Sequence, residues 1–272
     1  MKRNIFFISD GTGITAEALG HSLMSQFEGM EFEPVTIPYV DDEEKALQAV
    51  NRINQAGTHN KIRPIVFATL VNPKIRHLIE TSQAKVFDFF ETFLEPIETE
   101  LQTKSSYTVG KIHSAKNNNV YQTRIEAINF ALASDDGIGI HHYKEADLIL
   151  VGISRSGKTP TCLYLALQFG IKAANFPFTE DDIRNSSLPN SLLHHRKKLF
   201  GLTIAAERLQ KIRTERRANS RYASPEQCRL EVQEVEALFN RFSIPFINTT
   251  ALSIEEIATK ILAETGIERR LF

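Results

Sequence analysis

The chain has 272 residues, of which 42% are apolar and 24% charged, and its formal net charge is −1. That balance excludes nucleic acid as a partner chosen by global charge, and the apolar share suffices for a sizeable core in one or two domains. The two cysteines, Cys162 and Cys228, form no C-x-x-C pair, which argues against a disulfide scaffold or zinc ribbon and fits a reducing compartment.

The N-terminal stretch MKRNIFFISDGTG contains only a four-residue apolar run, Ile5 to Ile8. This is too short for a signal-peptide core or a membrane span, so a soluble cytoplasmic protein with no membrane partner is expected. Asn4 to Ser9 reads as a buried strand and Asp10-Gly11-Thr12-Gly13 as the turn after it. From Ile14 to Phe27 the spacing predicts a helix with Ile14, Ala18, Leu19, Leu23 and Phe27 on one side. Pro34 to Val40 is a second strand. Asp41-Asp42-Glu43-Glu44 opens a helix, where carboxylates meet the positive end of the helix dipole. Pro64 to Leu70 gives a third strand, Asn72-Pro73 starts the next helix, and Lys85 to Phe90 gives a fourth strand. Such alternation predicts a parallel α/β sheet.

From Gln102 to Asn119 the chain turns polar and reads as a linker or loop. A helix over Tyr121–Ala133 follows, ended by the turn Asp135-Asp136-Gly137. Alternation then resumes: strand 147–151, helix 159–169, strands 172–176 and 199–204, helices 205–217 and 225–241, strand 245–248 and helix 254–264. No internal repeat is visible. The expected organisation is an N-terminal α/β domain over 1–104, a linker with a connecting helix over 105–144, and a second α/β domain over 145–272.

The second domain opens with DLILVGISRSGKTPTCLYLAL, Asp147 to Leu167. Within it Gly152, Ile153, Ser154, Arg155, Ser156, Gly157, Lys158 and Thr159 match G-x-x-x-x-G-K-[ST] at every position. With glycine near 7% of average usage, a chance match in a chain this long is on the order of one percent. A strand before and a helix after are the context the motif needs. Glycines at both ends keep side chains away, so that backbone N–H groups and the helix N-terminus can surround a phosphate. Lys158 adds a full charge, and Thr159 supplies a hydroxyl for Mg²⁺, a hard cation that prefers oxygen. Pro160 falls in the first turn of the helix, where a missing N–H costs little. The motif specifies nucleotide or phosphate and names no reaction.

Other motifs narrow the reading. There is no N-K-x-D of a GTPase and no H-R-D or D-F-G of a eukaryotic-type protein kinase. Asp88 and Asp10 are the only carboxylates that end an apolar strand. The Asp10–Gly13 turn suits phosphate or metal, or is a plain turn with helix capping by Thr12 or Thr15. Asp135 and Asp136 suit a base or magnesium ligand, or simply a helix-ending turn. His113 is a lone loop histidine. His141-His142 and His194-His195 lack metal-pair spacing, so no metal is assigned to them. Cys162 reads as core.

The segments SDGTGITAE (9–17), YQTRIEAINFALASDDG (121–137), ADLILVGISRSGKTPTCLYLA (146–166), and the tail from FGLTI (200–204) to EEIATKIL (255–262) resemble one family over nearly the whole chain. It is the family of bacterial phosphoenolpyruvate synthase regulatory proteins, related to the pyruvate, phosphate dikinase regulatory proteins. RRANSRYASPEQCRLEVQEVEALF (216–239) is closer to the synthase branch. The resemblance implies an N-terminal α/β domain followed by a P-loop-containing α/β kinase domain. It also implies a bifunctional enzyme. Such an enzyme phosphorylates a threonine of phosphoenolpyruvate synthase with ADP as donor, inactivating it, and removes that phosphate with inorganic phosphate, releasing pyrophosphate. On this resemblance Gly152 to Thr159 are the ADP site, Lys158 stabilises charge on the transferred group, Thr159 meets Mg²⁺, and Asp10, Asp135 and Asp136 are candidates for the base.

Two departures stand out. Family members often read G-L-T-I-D-P-E-R-L, whereas Gly201 to Leu209 here is GLTIAAERL, with Ala205 and Ala206 in place of Asp-Pro. A missing metal or base carboxylate would impair the enzyme, while a missing helix cap would not, and the capping role is the expectation. The segment around Lys116–Val120 is also shorter than in such relatives. Between Arg196 and Arg229 lie ten lysines and arginines against three glutamates, which suggests a solvated helix face or a docking surface that includes Arg213, Arg216 and Arg217. A small-molecule kinase using ATP, a P-loop ATPase and a non-catalytic nucleotide sensor are the alternatives. Oligomeric state is open, a homo-oligomer included.

Overall fold

The computed structural model describes residues 2–108, 118–185, 187–218 and 220–271. Part of the predicted linker, with His113, Lys116 and Asn117, lies outside the described residues. The chain divides into two compact units, Met1–Ser114 and Ala115–Phe272.

In the first unit β1 (Arg3–Ser9), β2 (Phe32–Ile37), β3 (Ile65–Thr69) and β4 (Lys85–Asp88) form a wholly parallel sheet in the order β2-β1-β3-β4. Because side chains alternate along a strand, β1 feeds two cores. Phe6 and Ile8 pack with Val66 and Ala68 against α2 (Glu43–Asn60) and α3 (Pro73–Glu80). Ile5, Phe7 and Phe67 pack against Ala16 of α1 (Ile14–Met24) and Phe89 of α4 (Phe89–Leu101). Helix starts follow the expected chemistry at Asp42, which accepts the Lys45 N–H, and at Asn72, which accepts the Lys74 N–H just ahead of Pro73.

Three expectations for this unit are corrected. Helix α1 does not bury its large apolar side chains: Ile14 is 66% exposed, and Leu19 and Leu23 are also exposed. The helix instead presents Ala16 and Gly20 to the sheet, because the rings of Phe7 and Phe67 already fill the space there. Phe89 and Phe90 belong to α4 and not to the fourth strand, since Asp88 accepts the Glu91 N–H and starts a helix. Finally, neither Thr12 nor Thr15 caps α1. Its N-cap is Gly13, at φ 84, with no side-chain cap.

The second unit repeats the arrangement. β5 (Leu148–Gly152), β6 (Ala173–Pro177), β7 (Leu199–Thr203) and β8 (Phe246–Asn248) form a parallel sheet in the order β6-β5-β7-β8. Leu148, Leu150, Phe200 and Leu202 face α5 (Asn118–Ala133), α6 (Lys158–Phe169) and α11 (Ile254–Thr265). Ile149, Val151 and Leu199 face the opposite core. That core includes the short helices α7 (Glu180–Arg184) and α8 (Asn190–Leu193), together with α9 (Ala206–Arg216) and α10 (Pro225–Phe242). Helix α5 packs on α6 and β6 and is part of this unit. Ala205 stands at the N-cap of α9 without a side-chain cap, and Ala206 is its first residue. Asp and Pro would each serve an ordinary helix start in those two places. Among the described residues no helix is long and apolar enough to cross a membrane.

The contact between α1 and its sheet yields a test. A Cβ at Gly20 would lie 2.4 Å from Phe7 Cε1 and 2.8 Å from Phe67 Cδ2. Gly20→Ala should lower the unfolding free energy by about 1–2 kcal/mol, since overpacking outweighs the gain in helix propensity. Urea unfolding measures this, and a stabilised variant would refute the packing.

Candidate active site

In a parallel sheet a crevice opens at the carboxyl ends of two neighbouring strands whose connections run in opposite directions. In the second unit those strands are β5 and β7. Gly152 ends β5, and a Cβ there would lie 2.4 Å from the Leu202 carbonyl oxygen of β7, so only glycine fits. The chain then turns through Ile153–Gly157, with Arg155 in the left-handed region at φ 77 and Gly157 at φ 94 as the N-cap of α6. Lys158, Thr159 and Pro160 form the first turn of that helix, where N–H groups have no intrahelical partner. The proline is therefore at a tolerated position, as expected. From the other side Thr249 Oγ1 donates to the Ser156 carbonyl at 3.1 Å, which ties the loop to the end of β8.

Lys158 is 4% exposed and donates from Nζ to the Ile153 carbonyl at 2.8 Å. Burial pulls its pKa down to about 8, against the opposing fields of Asp136 and Asp135. Those two carboxylates stand at the site because the turn after α5 is bonded to β6. Asn175 N–H donates to the Ser134 carbonyl at 3.0 Å, and Gly137 N–H to the Asn175 carbonyl at 2.9 Å. Asp136 and Gly137 take positive φ to make that turn. Thr159 Oγ1 donates to Asp135 Oδ1 at 3.0 Å, and Asn175 Nδ2 reaches Asp135 Oδ1 at 2.5 Å, Asp136 Oδ1 at 3.2 Å and Thr159 Oγ1 at 2.9 Å.

Asp136, Lys158, Thr159 and Asn175 border a cavity of about 260 Å³ that Ser154 and Arg155 also line. The structure thus brings Asp135 and Asp136 together with Lys158 and Thr159. Asn175 is the member that sequence reasoning missed. Its signal was an amide in the middle of the apolar strand AANFP, and that side chain is buried. Asp10 and Asp88 belong to the first unit. Asp10 Oδ2 accepts the Val71 N–H at 2.6 Å, and burial raises its pKa. Asp88 caps α4 and lies 3.7 Å from Arg76. Cys162 is core as expected, and burial pushes its thiol pKa up. Among the described residues no three His, Cys, Asp or Glu side chains cluster as metal ligands.

The charged segment needs one correction. Arg213 is 1% exposed and paired with Glu231 at 2.7 Å, so it cannot belong to a surface docking patch. Arg216, Arg217 and Arg221 are exposed.

The family model described as kinase/pyrophosphorylase matches residues 5–262. Three relatives, each named "Putative phosphoenolpyruvate synthase regulatory protein", are similar over their full length. The one from Marinobacter nauticus is 58% identical over 99% of both chains. The one from Hahella chejuensis is 59% identical over 100% of both, and the one from Legionella pneumophila 57% identical over 100% of both.

The buried ammonium has a measurable cost. A lysine whose folded pKa lies below its unfolded value destabilises the protein while protonated, and the penalty fades as pH rises from about 8 to 10.5. Lys158→Met should therefore raise the unfolding free energy at pH 7 by about 1–3 kcal/mol. The difference from wild type should shrink toward pH 10. Denaturant titrations at both pH values measure it, and a destabilised variant at pH 7 would contradict the assignment.

Proposed function

We propose, for a chain that belongs to the kinase/pyrophosphorylase family, that the cavity at the end of β5 binds ADP and carries out phosphoryl transfer in both directions on a threonine of phosphoenolpyruvate synthase. The names of the full-length relatives support a role in regulating that synthase, and the family supports phosphotransfer. One observation carries the reading: a buried ammonium, a threonine hydroxyl and the Asp136 carboxylate border a single cavity at the start of α6, with Asp135 bonded to that hydroxyl.

In the forward reaction the threonine oxygen of the target attacks the β-phosphorus of ADP. The bond from that phosphorus to the bridging oxygen breaks, AMP leaves, and the hydroxyl proton passes to a carboxylate. Asp136 lines the cavity and is assigned that proton. Asp135 is assigned to hold the Thr159 hydroxyl. Asp10, a buried carboxylate that accepts the Val71 N–H in the first unit, is the third candidate for the base. Lys158 and the loop N–H groups stabilise charge on the transferred group, and most of the acceleration in such transfers comes from positioning and electrostatics. In the reverse reaction an oxygen of inorganic phosphate attacks the phosphothreonine phosphorus, the bond to the threonine oxygen breaks, and pyrophosphate leaves as that oxygen takes a proton. Magnesium fits the oxygen-only donors Thr159, Asp135 and Asp136 and would neutralise phosphate charge when bound.

Both directions need one phosphate cradle, and Gly152 to Thr159 supply it. Lys158→Met should reduce phosphorylation of the target and pyrophosphate release together, each roughly a hundredfold or more. If inorganic phosphate instead sits at Asp10-Gly11-Thr12-Gly13, Lys158→Met will spare pyrophosphate release. Gly11→Ala, which has room for its methyl group, would then reduce that release. ADP should also compete with inorganic phosphate in the reverse direction.

The exposed Arg216, Arg217 and Arg221 are assigned to docking of the target. Reversing all three to glutamate should slow association with the synthase and flatten its salt dependence while leaving ADP affinity unchanged. Equal losses in both would place these arginines in the nucleotide site.

A further inference from the structure

Arg213 of α9 is a fully buried cation whose guanidinium is fixed from several sides. It forms a bidentate pair with Glu231 of α10, at 3.2 Å and 2.7 Å, and Gln227 Nε2 holds the same carboxylate at 2.9 Å. Its Cζ lies over the Tyr222 ring, 4.0 Å from the centroid, and Nη1 donates to the Tyr222 carbonyl at 3.0 Å. A further contact points into the β5–α6 loop: Nη2 donates to the Ser154 carbonyl at 3.4 Å. Beside it the Tyr222 hydroxyl donates to Ser154 Oγ at 3.2 Å. The next residue, Arg155, has the left-handed φ of 77.

A buried ion pair of this kind is weak evidence for stability, because well-packed apolar residues often do as well. What it supplies is a direction. A guanidinium held by one carboxylate has its free N–H groups in fixed places, and here one of them meets the peptide that precedes a strained residue of the loop.

We propose that Arg213 and Tyr222 are positioning residues of the β5–α6 loop, holding Ser154 so that the Ser154–Arg155 peptide keeps the shape a bound phosphate meets. Neither touches the transferred group. The proposal deepens the ADP reading of the cavity and rests on it for the ligand, though not for the loop.

The test has two readouts. Amide hydrogen exchange of residues 153–157 is followed in the ligand-free protein, and ADP affinity is measured by calorimetry. Tyr222→Phe and Ser154→Ala should each speed exchange in the loop and weaken ADP binding by about fivefold, the effect of one lost hydrogen bond. The double variant should be no worse than either single, because the two hydroxyls form one contact. Exchange in β5 and the thermal midpoint of Tyr222→Phe should be unchanged. Arg213→Lys, which keeps charge but loses the fork, should have a larger effect of tenfold or more. If that variant does not fold, Tyr222→Phe still decides. Unchanged loop exchange in Tyr222→Phe, additive single effects, or loosening spread over the whole unit would overturn the proposal. Faster loop exchange in a protein that binds no ADP would uphold the positioning role and overturn the ADP reading instead.

Discussion

The second unit is organised around one ammonium group kept out of water. Lys158 is out of solvent at the start of α6 and donates to the Ile153 carbonyl of its own loop. Burial pulls its pKa down to about 8, more than the nearby carboxylates raise it. The two nearby carboxylates act through their field while their closest contacts go to Asn175 and Thr159. On the proposed reading, such a site draws in a phosphate. Water has already been removed from the lysine, so an anion meets a charge that has little hydration left to lose.

Everything near that group serves to keep it in place. Gly152 lets β5 pass against β7 where a methyl group would strike the Leu202 carbonyl. Thr249 holds one end of the loop, and Arg213 and Tyr222 hold the other. The carboxylates are brought in by backbone bonds between the turn after α5 and β6. The site therefore rests on three successive parts of the fold: a strand end, a strand-bonded turn and a pair of helices.

Much of this was legible in the chain itself. The loop and the strand and helix around it could be read because glycine, lysine, threonine and proline each leave a local mark at fixed spacing. The caps at Asp42 and Asn72 were legible for the same reason. What escaped were facts of tertiary packing. The helix α1 pattern suggested an apolar face with Ile14, Leu19 and Leu23, yet the sheet admits only small side chains where Phe7 and Phe67 already stand. Helix α4 was hidden because Phe89 and Phe90 continue the apolar character of β4 and Pro96 interrupts the helical spacing. Arg213 looked like one more charge in a basic stretch, since its partner Glu231 is eighteen residues away. Asn175 was unremarked because one amide in a short strand has no periodicity.

Both sheets share one connection pattern, in which the first strand of each lies second in the order and its successor pairs on the outer side. Each sheet is also drawn from a continuous piece of chain, with no strand exchanged between the units among the described residues. This has a consequence for how the molecule is made. Domains generally fold as units, the N-terminal one first during synthesis. The first sheet can be complete before Leu148 leaves the ribosome. β8 emerges after the other strands described here, with Thr249 just beyond it, so the loop around Lys158 gains that anchor later than the strand from which it springs. The loop is therefore made well before the residue that ties it in place.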